Sequence, residues 1–188
     1  MDAKAKLRAE LLVQRRALEG SFIQEASLKA MKLLMALEEF RMAERVALYA
    51  AFDNEPDTRE IFHRAHVARK SVFFPKIDPV SKKMTFGRVR SWDELEAGYG
   101  GILEPFKGSS TIQNVNDLQM ILVPGVAFDL RGHRLCLGKG YYDRILTGYR
   151  GKRIGMAYEF QIVESLPSVP SDQRVDWVVT EERVIRAM

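Results

Sequence analysis

Long apolar runs constrain this chain more than any other feature. "RVALYAAF" (45–52) and "QMILVPGVAFD" (119–129) are nearly continuous in apolar residues rather than alternating. A strand with one wet face alternates, whereas a strand covered on both faces does not. "SVFFPK" (71–76), "KMTFGRV" (83–89), "KRIGMAY" (152–158) and "DWVVTEERVI" (176–185) read as further strands, with a turn at Asp78 and Pro79 between the first two. Segments of helical period lie between these runs. Leu7, Leu11, Leu12 and Leu18 form an apolar stripe over 2–18, and Gly20 is the expected stop. Ser21 with Gln24 gives a capping-box pattern for a helix to about residue 40, and Asp57 with Glu60 gives one to about residue 70. Ser91 opens a brief helical turn, 98–117 reads as loop, and "QIVESL" (161–166) as a short helix. Strands alternating with helices favour an α/β sheet covered on both faces. The 188 residues suit one domain over 1–188, with no repeat or linker to divide it.

Several classes drop out on composition. No apolar run approaches the ~20 residues that span a bilayer. The first 16 residues are charged throughout and lack the apolar core of a signal peptide. Cys136 is the one cysteine, which excludes a disulfide framework or a cysteine-rich zinc site and points to a reducing cytoplasm. The net charge of +4 suits an acidic small molecule or nucleic acid, but by itself it decides nothing, and charge alone favours plain solubility. His63, His66 and His133 share metal-ligand spacing with nothing else.

After the strongest strand comes "LGKGYYDRIL" (137–146), a glycine turn followed by a helix over about 141–147. The first N–H groups of a helix lack partners and carry partial positive charge, and glycines let a phosphate come close to them. Gly138 and Gly140 flank Lys139, whose charge sits mid-turn, while Tyr141 and Tyr142 offer rings and hydroxyls. A turn whose glycines only satisfy backbone angles would read the same way. Asp143 in the first turn complements the helix dipole, or reaches a magnesium ion that also takes phosphate oxygens. A second carboxylate is available in Asp172, from a proline-flanked loop, whereas Asp176 at a strand start reads as a structural cap. Lys4 and Arg8 form an i,i+4 pair of like charges. Such a pair is either a solvated face or a grip on one anion.

"VPGVAFDLRGHRLCLGKGYYDRIL" (123–146) resembles the signature of the 5-formyltetrahydrofolate cyclo-ligase family. "KAKLR" (4–8), "DNEPDT" (53–58), "FFPK" (73–76), "GILEP" (101–105) and "PSDQRVDWVVTEE" (170–182) follow in that family's order. The resemblance implies a three-layer α/β sandwich with a mostly parallel central sheet and helices on both faces. It implies ATP- and magnesium-dependent closure of 5-formyltetrahydrofolate to 5,10-methenyltetrahydrofolate, with ATP as co-substrate and Mg2+ as cofactor. Carried over by position, Lys4 and Arg8 contact ATP phosphates, and Gly138, Lys139, Gly140, Tyr141, Tyr142 and Asp143 wrap the nucleotide. Lys139 and Arg8 are then the catalytic cations, and Asp143 with Asp172 serve the metal. Glu55 bonds the pterin, in a pocket lined by Phe74, Pro75, Met84 and Tyr142. The implied partners are ATP and a reduced folate, in a cytoplasmic monomer or homodimer that engages neither nucleic acid nor membrane. The family's pattern has three alternate glycines before the tyrosines, and Cys136 stands at the first. A Cβ there penalises positive φ, so a different turn is expected. The rival classes are a sugar-phosphate isomerase or CoA-transferase-like enzyme on a similar sheet, and a nucleic-acid-binding module.

Overall fold

The computed structural model describes residues 3–78, 80–169 and 171–188, so Pro79 of the expected turn and Pro170 lie outside the described residues. The chain opens with α1 (Ala3–Arg16), α2 (Gly20–Ala36) and α3 (Glu38–Met42). Gly20 begins α2 instead of ending α1, and Glu19 precedes it without a side-chain cap, so the Ser21–Gln24 box does not form. One extended residue, Leu37 with ψ 134°, splits α2 from α3 where the periodicity alone reads a single helix.

Next come β1 (Arg45–Ala47), α4 (Arg59–Val67), β2 (Ser71–Ile77) and β3 (Met84–Val89). Asp57 accepts from the backbone N–H of Arg59 at 2.9 Å, just ahead of α4. Ser91 accepts from the N–H of Asp93, starting the expected helical turn. The stretch read as loop over 98–117 follows β4 (Leu95–Ala97) and contains β5 (Leu103–Pro105). The run at 119–129 is two strands, β6 (Met120–Val123) and β7 (Ala127–Asp129), which Pro124 and Gly125 send into different sheets. Then follow β8 (Arg134–Leu135), α5 (Tyr141–Leu146), β9 (Lys152–Met156), β10 (Ile162–Val163), β11 (Trp177–Val179) and β12 (Val184–Arg186). β10 replaces the short helix expected at 161–166, because Ile162 and Val163 pair with Phe128 and Asp129. The single strand expected over 176–185 is a hairpin, turned where the Thr180 hydroxyl accepts from the N–H groups of Glu182 and Arg183.

The main sheet runs β12-β11-β9-β6-β1-β2-β3, with parallel pairing from β11 to β2 and one antiparallel strand at each edge. Side chains alternate across it. Phe74, Val46 and Leu122 face α2, α3 and α4, against Leu34, Phe40 and Phe62. Phe73, Ala47 and Ile121 face the other way, against Phe86, Phe128 and Leu146 of α5. A smaller cluster docks α1 through Leu11 onto Val126, Ala127 and Leu135. The result is the α/β sandwich with a mostly parallel central sheet and helices on both faces. No helix among the described residues is long and apolar enough to cross a membrane.

This topology dictates where a ligand sits. The chain leaves β1 toward β2 on one side and returns as β6 on the other. In an open α/β sheet, ligands bind beyond the carboxyl ends of strands at such a reversal.

Candidate functional site

Two cavities meet at that reversal, separated by the segment 134–140. The first lies above the strand ends. Tyr49 and Ala50 reach it from β1, Pro75 and Ile77 from β2, Met84 from β3, and 124–126 from β6. Tyr99 and Ile102 complete an apolar lining, and Glu55 and Glu104 bring carboxylates to it. Glu104 is held by backbone N–H groups of Ile77 at 3.3 Å and Tyr99 at 3.2 Å, tying β2 to the loop beyond β4.

Glu55 has a different environment. Its Oε2 accepts from the N–H of Phe52 at 3.2 Å, and its Oε1 lies 3.7 Å from Nη1 of Arg15. Burial is the dominant influence and pushes its carboxyl up to about 7, against the opposing pull of Arg15 and that N–H. Tyr142 lines the same cavity, and its hydroxyl is buried without a hydrogen-bond partner. Burial raises its pKa well above the usual phenol value, so it stays a donor.

The second cavity is polar. Lys4 and Arg8 face it from α1, Gly138, Gly140, Asp143 and Arg144 from the turn and α5, and Asp172 from the loop before β11. Lys4 Nζ lies 3.0 Å from Asp172 Oδ2, and Arg8 Nε donates to the carbonyl of Cys136 at 2.7 Å. Burial works against the charge of Asp172, yet the Val169 N–H and the Lys4 ammonium hold its carboxyl below the usual range. Asp143 Oδ1 lies 2.9 Å from Nη2 of Arg134 and also accepts from the N–H of Gln173 at 3.3 Å.

Gly138 and Gly140 have φ of 93° and 65°, a region costly to any residue with a Cβ. Space does not demand glycine at 138, where a Cβ would meet nothing within 4 Å; the backbone angle does. Cys136 is absent from the non-glycine residues with positive φ, so its Cβ carries no such penalty. Its thiol donates to Asp143 Oδ2 at 3.6 Å. Burial, chiefly, pushes that thiol up, leaving it protonated rather than nucleophilic. The helix after the turn is α5, only six residues long.

Most of the residues singled out from sequence converge here. Lys4, Arg8, Gly138, Gly140, Asp143 and Asp172 surround the polar cavity, while Glu55, Pro75, Met84, Lys139, Tyr141 and Tyr142 line the apolar one. Lys139 lies over the ring of Tyr99, 4.6 Å from its centroid. Phe74 does not join them. It is fully buried on the opposite face of the sheet, edge-on to Trp92, because the two-residue period sends Phe73 and Pro75 one way and Phe74 the other. Asp176 accepts from the backbone N–H of Arg153 at 2.8 Å, tying β9 to β11 as a structural cap would. His133 is buried in a pair with Asp129, 2.9 Å away.

Arg134 carries no signal of its own in the sequence. It is 6% exposed and lines both cavities. Its guanidinium bonds Asp143 and the Pro124 carbonyl and lies 5.4 Å from the Tyr142 ring centroid, with Nε buried and unpaired.

The donor set fits a magnesium ion bound jointly with phosphate. The polar cavity offers two carboxylates, and the described residues hold no cluster of three or more acidic, histidine or cysteine ligands. Magnesium commonly takes one or two carboxylates, completing its shell with water and phosphate oxygens.

The chain matches the model of the "5-formyltetrahydrofolate cyclo-ligase family" over residues 1–181. It is 33% identical over 168 residues to the 5-formyltetrahydrofolate cyclo-ligase of Haemophilus influenzae, covering 87% of this chain and 86% of that one. It is also 33% identical over 175 residues to that of Escherichia coli, covering 91% and 96%. The structure resembles the 5,10-methenyltetrahydrofolate synthetase of Aquifex aeolicus, with a TM-score of 0.86 and 39% identity over 97% of this chain and 92% of that one.

Proposed function

The chain belongs to the 5-formyltetrahydrofolate cyclo-ligase family and is a ligase, and from that premise we propose that it uses ATP and magnesium to close 5-formyltetrahydrofolate to 5,10-methenyltetrahydrofolate. The observation that carries this reading is the junction itself: a cation-lined cavity suited to polyphosphate opens, across Arg134 and the turn at 138–140, onto an apolar one suited to a flat heterocycle.

A formamide oxygen is a poor leaving group. In the proposed reaction it attacks the γ-phosphorus of ATP, the bond to the β-phosphate oxygen breaks, and ADP departs. The formyl carbon then carries a phosphate ester oxygen. N10 of the folate attacks that carbon and loses its proton, and the C–O bond breaks to release inorganic phosphate. The second step is intramolecular and already well placed.

The protein's part is positioning and neutralising charge. Lys4 and Arg8 take phosphate oxygens, joined by main-chain N–H groups of the glycine turn. Lys139 and Arg134 face the transferring group from the two sides of the junction. Asp143 and Asp172 would hold magnesium, which supplies further neutralisation of the phosphates. Glu55 accepts from the donor edge of the pterin, Pro75 and Met84 flank its ring, and the Tyr142 hydroxyl remains a donor beside it. The cytoplasm, with ample ATP and reduced folate, is the compartment this chemistry suits.

Omission tests this directly. Absorbance of the methenyl product should rise only when 5-formyltetrahydrofolate, ATP and magnesium are all present; a rise without ATP would defeat the proposal. Lys139→Ala should lower kcat about 100-fold while changing the folate KM less than about threefold, since its charge acts on the transferring group. Wild-type turnover of that variant at saturating ATP would remove Lys139 from the chemistry.

A further inference from the structure

Lys4, Arg8, Leu11 and Arg15 lie at i, i+4, i+7 and i+11 of α1, on one face of the helix. The first two face the polar cavity and Leu11 anchors the helix. Arg15 is 1% exposed and lines neither cavity. It lies behind the apolar one, where its Nε donates to the carbonyl of Asp53 at 2.9 Å. Nη2 is 3.5 Å from Asp53 Oδ2 and Nη1 is 3.7 Å from Glu55 Oε1, and both nitrogens are buried without a hydrogen bond.

The loop Arg15 grips is strained. Asp53 and Asn54 are consecutive non-glycine residues at φ 53° and 59°, in the left-handed region that disfavours any residue with a Cβ. Contacts to the end of α1 hold it: Asn54 donates to the Arg15 and Arg16 carbonyls, and Arg16 pairs with the Asp53 carboxylate. The residue presented by this strained loop is Glu55. A buried arginine with open donors, aimed at a carboxylate that itself lines a cavity, has a task beyond closing a loop.

We propose that Arg15 is a positioning residue: from behind the cavity wall it holds Glu55 as an oriented carboxylate facing the substrate, and so sets the pH range over which the donor edge of the substrate is bound. The proposal rests on the reading of Glu55 given above. The groups facing Glu55 are Arg15 from α1, Asp53 from its own loop, Tyr49 after β1 and Tyr142 from α5. Lys139, Arg134 and Glu104 line the rest of the cavity. Of these, Arg15 has the largest charge effect on Glu55, opposing burial. Both tyrosines stay neutral through the range in question, because burial raises them.

The test is the pH profile of KM for 5-formyltetrahydrofolate at saturating ATP, in the wild type and in Arg15→Gln. The wild-type KM should fall as pH rises through about 7, where Glu55 ionises. In Arg15→Gln the midpoint should move up by about one unit, so that KM at pH 7 rises about fivefold and recovers by about pH 9, with kcat within about twofold throughout. Arg15→Lys, which keeps the charge, should recover most of the loss. A KM raised equally at every pH, or an unshifted midpoint, would reduce Arg15 to a structural role and overturn the proposal. Should Arg15→Gln fail to fold, Asp53→Asn gives the complementary shift: with the competing carboxylate gone, Arg15 acts on Glu55 alone and the midpoint drops. An unmoved midpoint there would also overturn it. A wild-type enzyme that neither binds nor turns over the folate would instead remove the reading of the site, which separates the two failures.

Discussion

The Asp143→Asn variant should lose about 100- to 1,000-fold in turnover together with the response of turnover to magnesium. It should also unfold at a lower denaturant concentration than the wild type. Both effects come from one carboxylate with two duties. Asp143 faces the polar cavity, where it is proposed to serve the metal, and it is the counter-charge of Arg134, whose side chain is almost fully buried. Removing one partner of such a pair leaves the other charge stranded, and because Asp143 is partly exposed the loss is about 2 kcal/mol rather than the larger value of a fully buried pair. Asp172→Asn separates the duties. The Lys4–Asp172 pair is more open, so its stability change should stay below about 1 kcal/mol while the magnesium response is still weakened. The measurements are a magnesium titration of turnover and a urea unfolding curve. An Asp143→Asn enzyme with the wild-type titration would reject the metal assignment.

Glu55→Gln is the second large effect, and its two parts have opposite signs. Turnover at low folate should fall about 100-fold at pH 8, because an amide presents an N–H where the substrate also presents donors. Stability should rise. The Glu55 carboxyl titrates near 7 in the folded protein, above its value of about 4.5 in an unfolded chain. A raised folded-state value means the folded form favours the neutral acid, a preference fully present below pH 4.5 and lost as pH climbs through 7. The wild type is therefore handicapped above pH 7, by about 3 kcal/mol, and the uncharged glutamine is not. Thermal unfolding of the two proteins should coincide near pH 4 and separate between pH 5 and 7, with the variant melting higher at pH 8. A variant less stable than wild type at pH 8 would mean Glu55 is held by bonds that outweigh its burial. A binding site that costs stability in the free protein is a familiar trade.

The sheet was legible where burial on both faces writes itself as a continuous apolar run. Met120, Ile121, Leu122 and Val123 could hardly be anything but a central strand. What followed was not legible, since Val126, Ala127 and Phe128 are just as apolar yet belong to a second sheet past the Pro124–Gly125 break. Strand faces were equally hidden. Phe73 and Phe74 are neighbours of one chemical type, and only the packing of α2–α4 against one side decides which of them looks toward the site. Local rules also misled at Gly20, where a residue that often ends a helix begins one.

The glycine turn carried its own signal through the angles it needs at 138 and 140. Its distant partners did not. Lys4 and Arg8 sit about 130 residues before it, and nothing in their i,i+4 spacing separates a phosphate grip from a wet surface; only the fold shows that they share a cavity with the turn. Arg134 and Arg15 show the converse. Each is a buried guanidinium, and each reads in the sequence as one more surface cation until the fold places a carboxylate beside it.

The central claim is that the cavities lined by Lys4, Arg8 and Asp143 on one side and by Glu55 and Tyr142 on the other bring the terminal phosphoryl group of ATP onto the formyl oxygen. Isotope labelling of that oxygen tests it most directly. With 5-formyltetrahydrofolate carrying oxygen-18 in the formyl group, mass spectrometry of a single turnover should find the label in inorganic phosphate, one atom per methenyl product. Label released to water, with none in phosphate, would contradict the account.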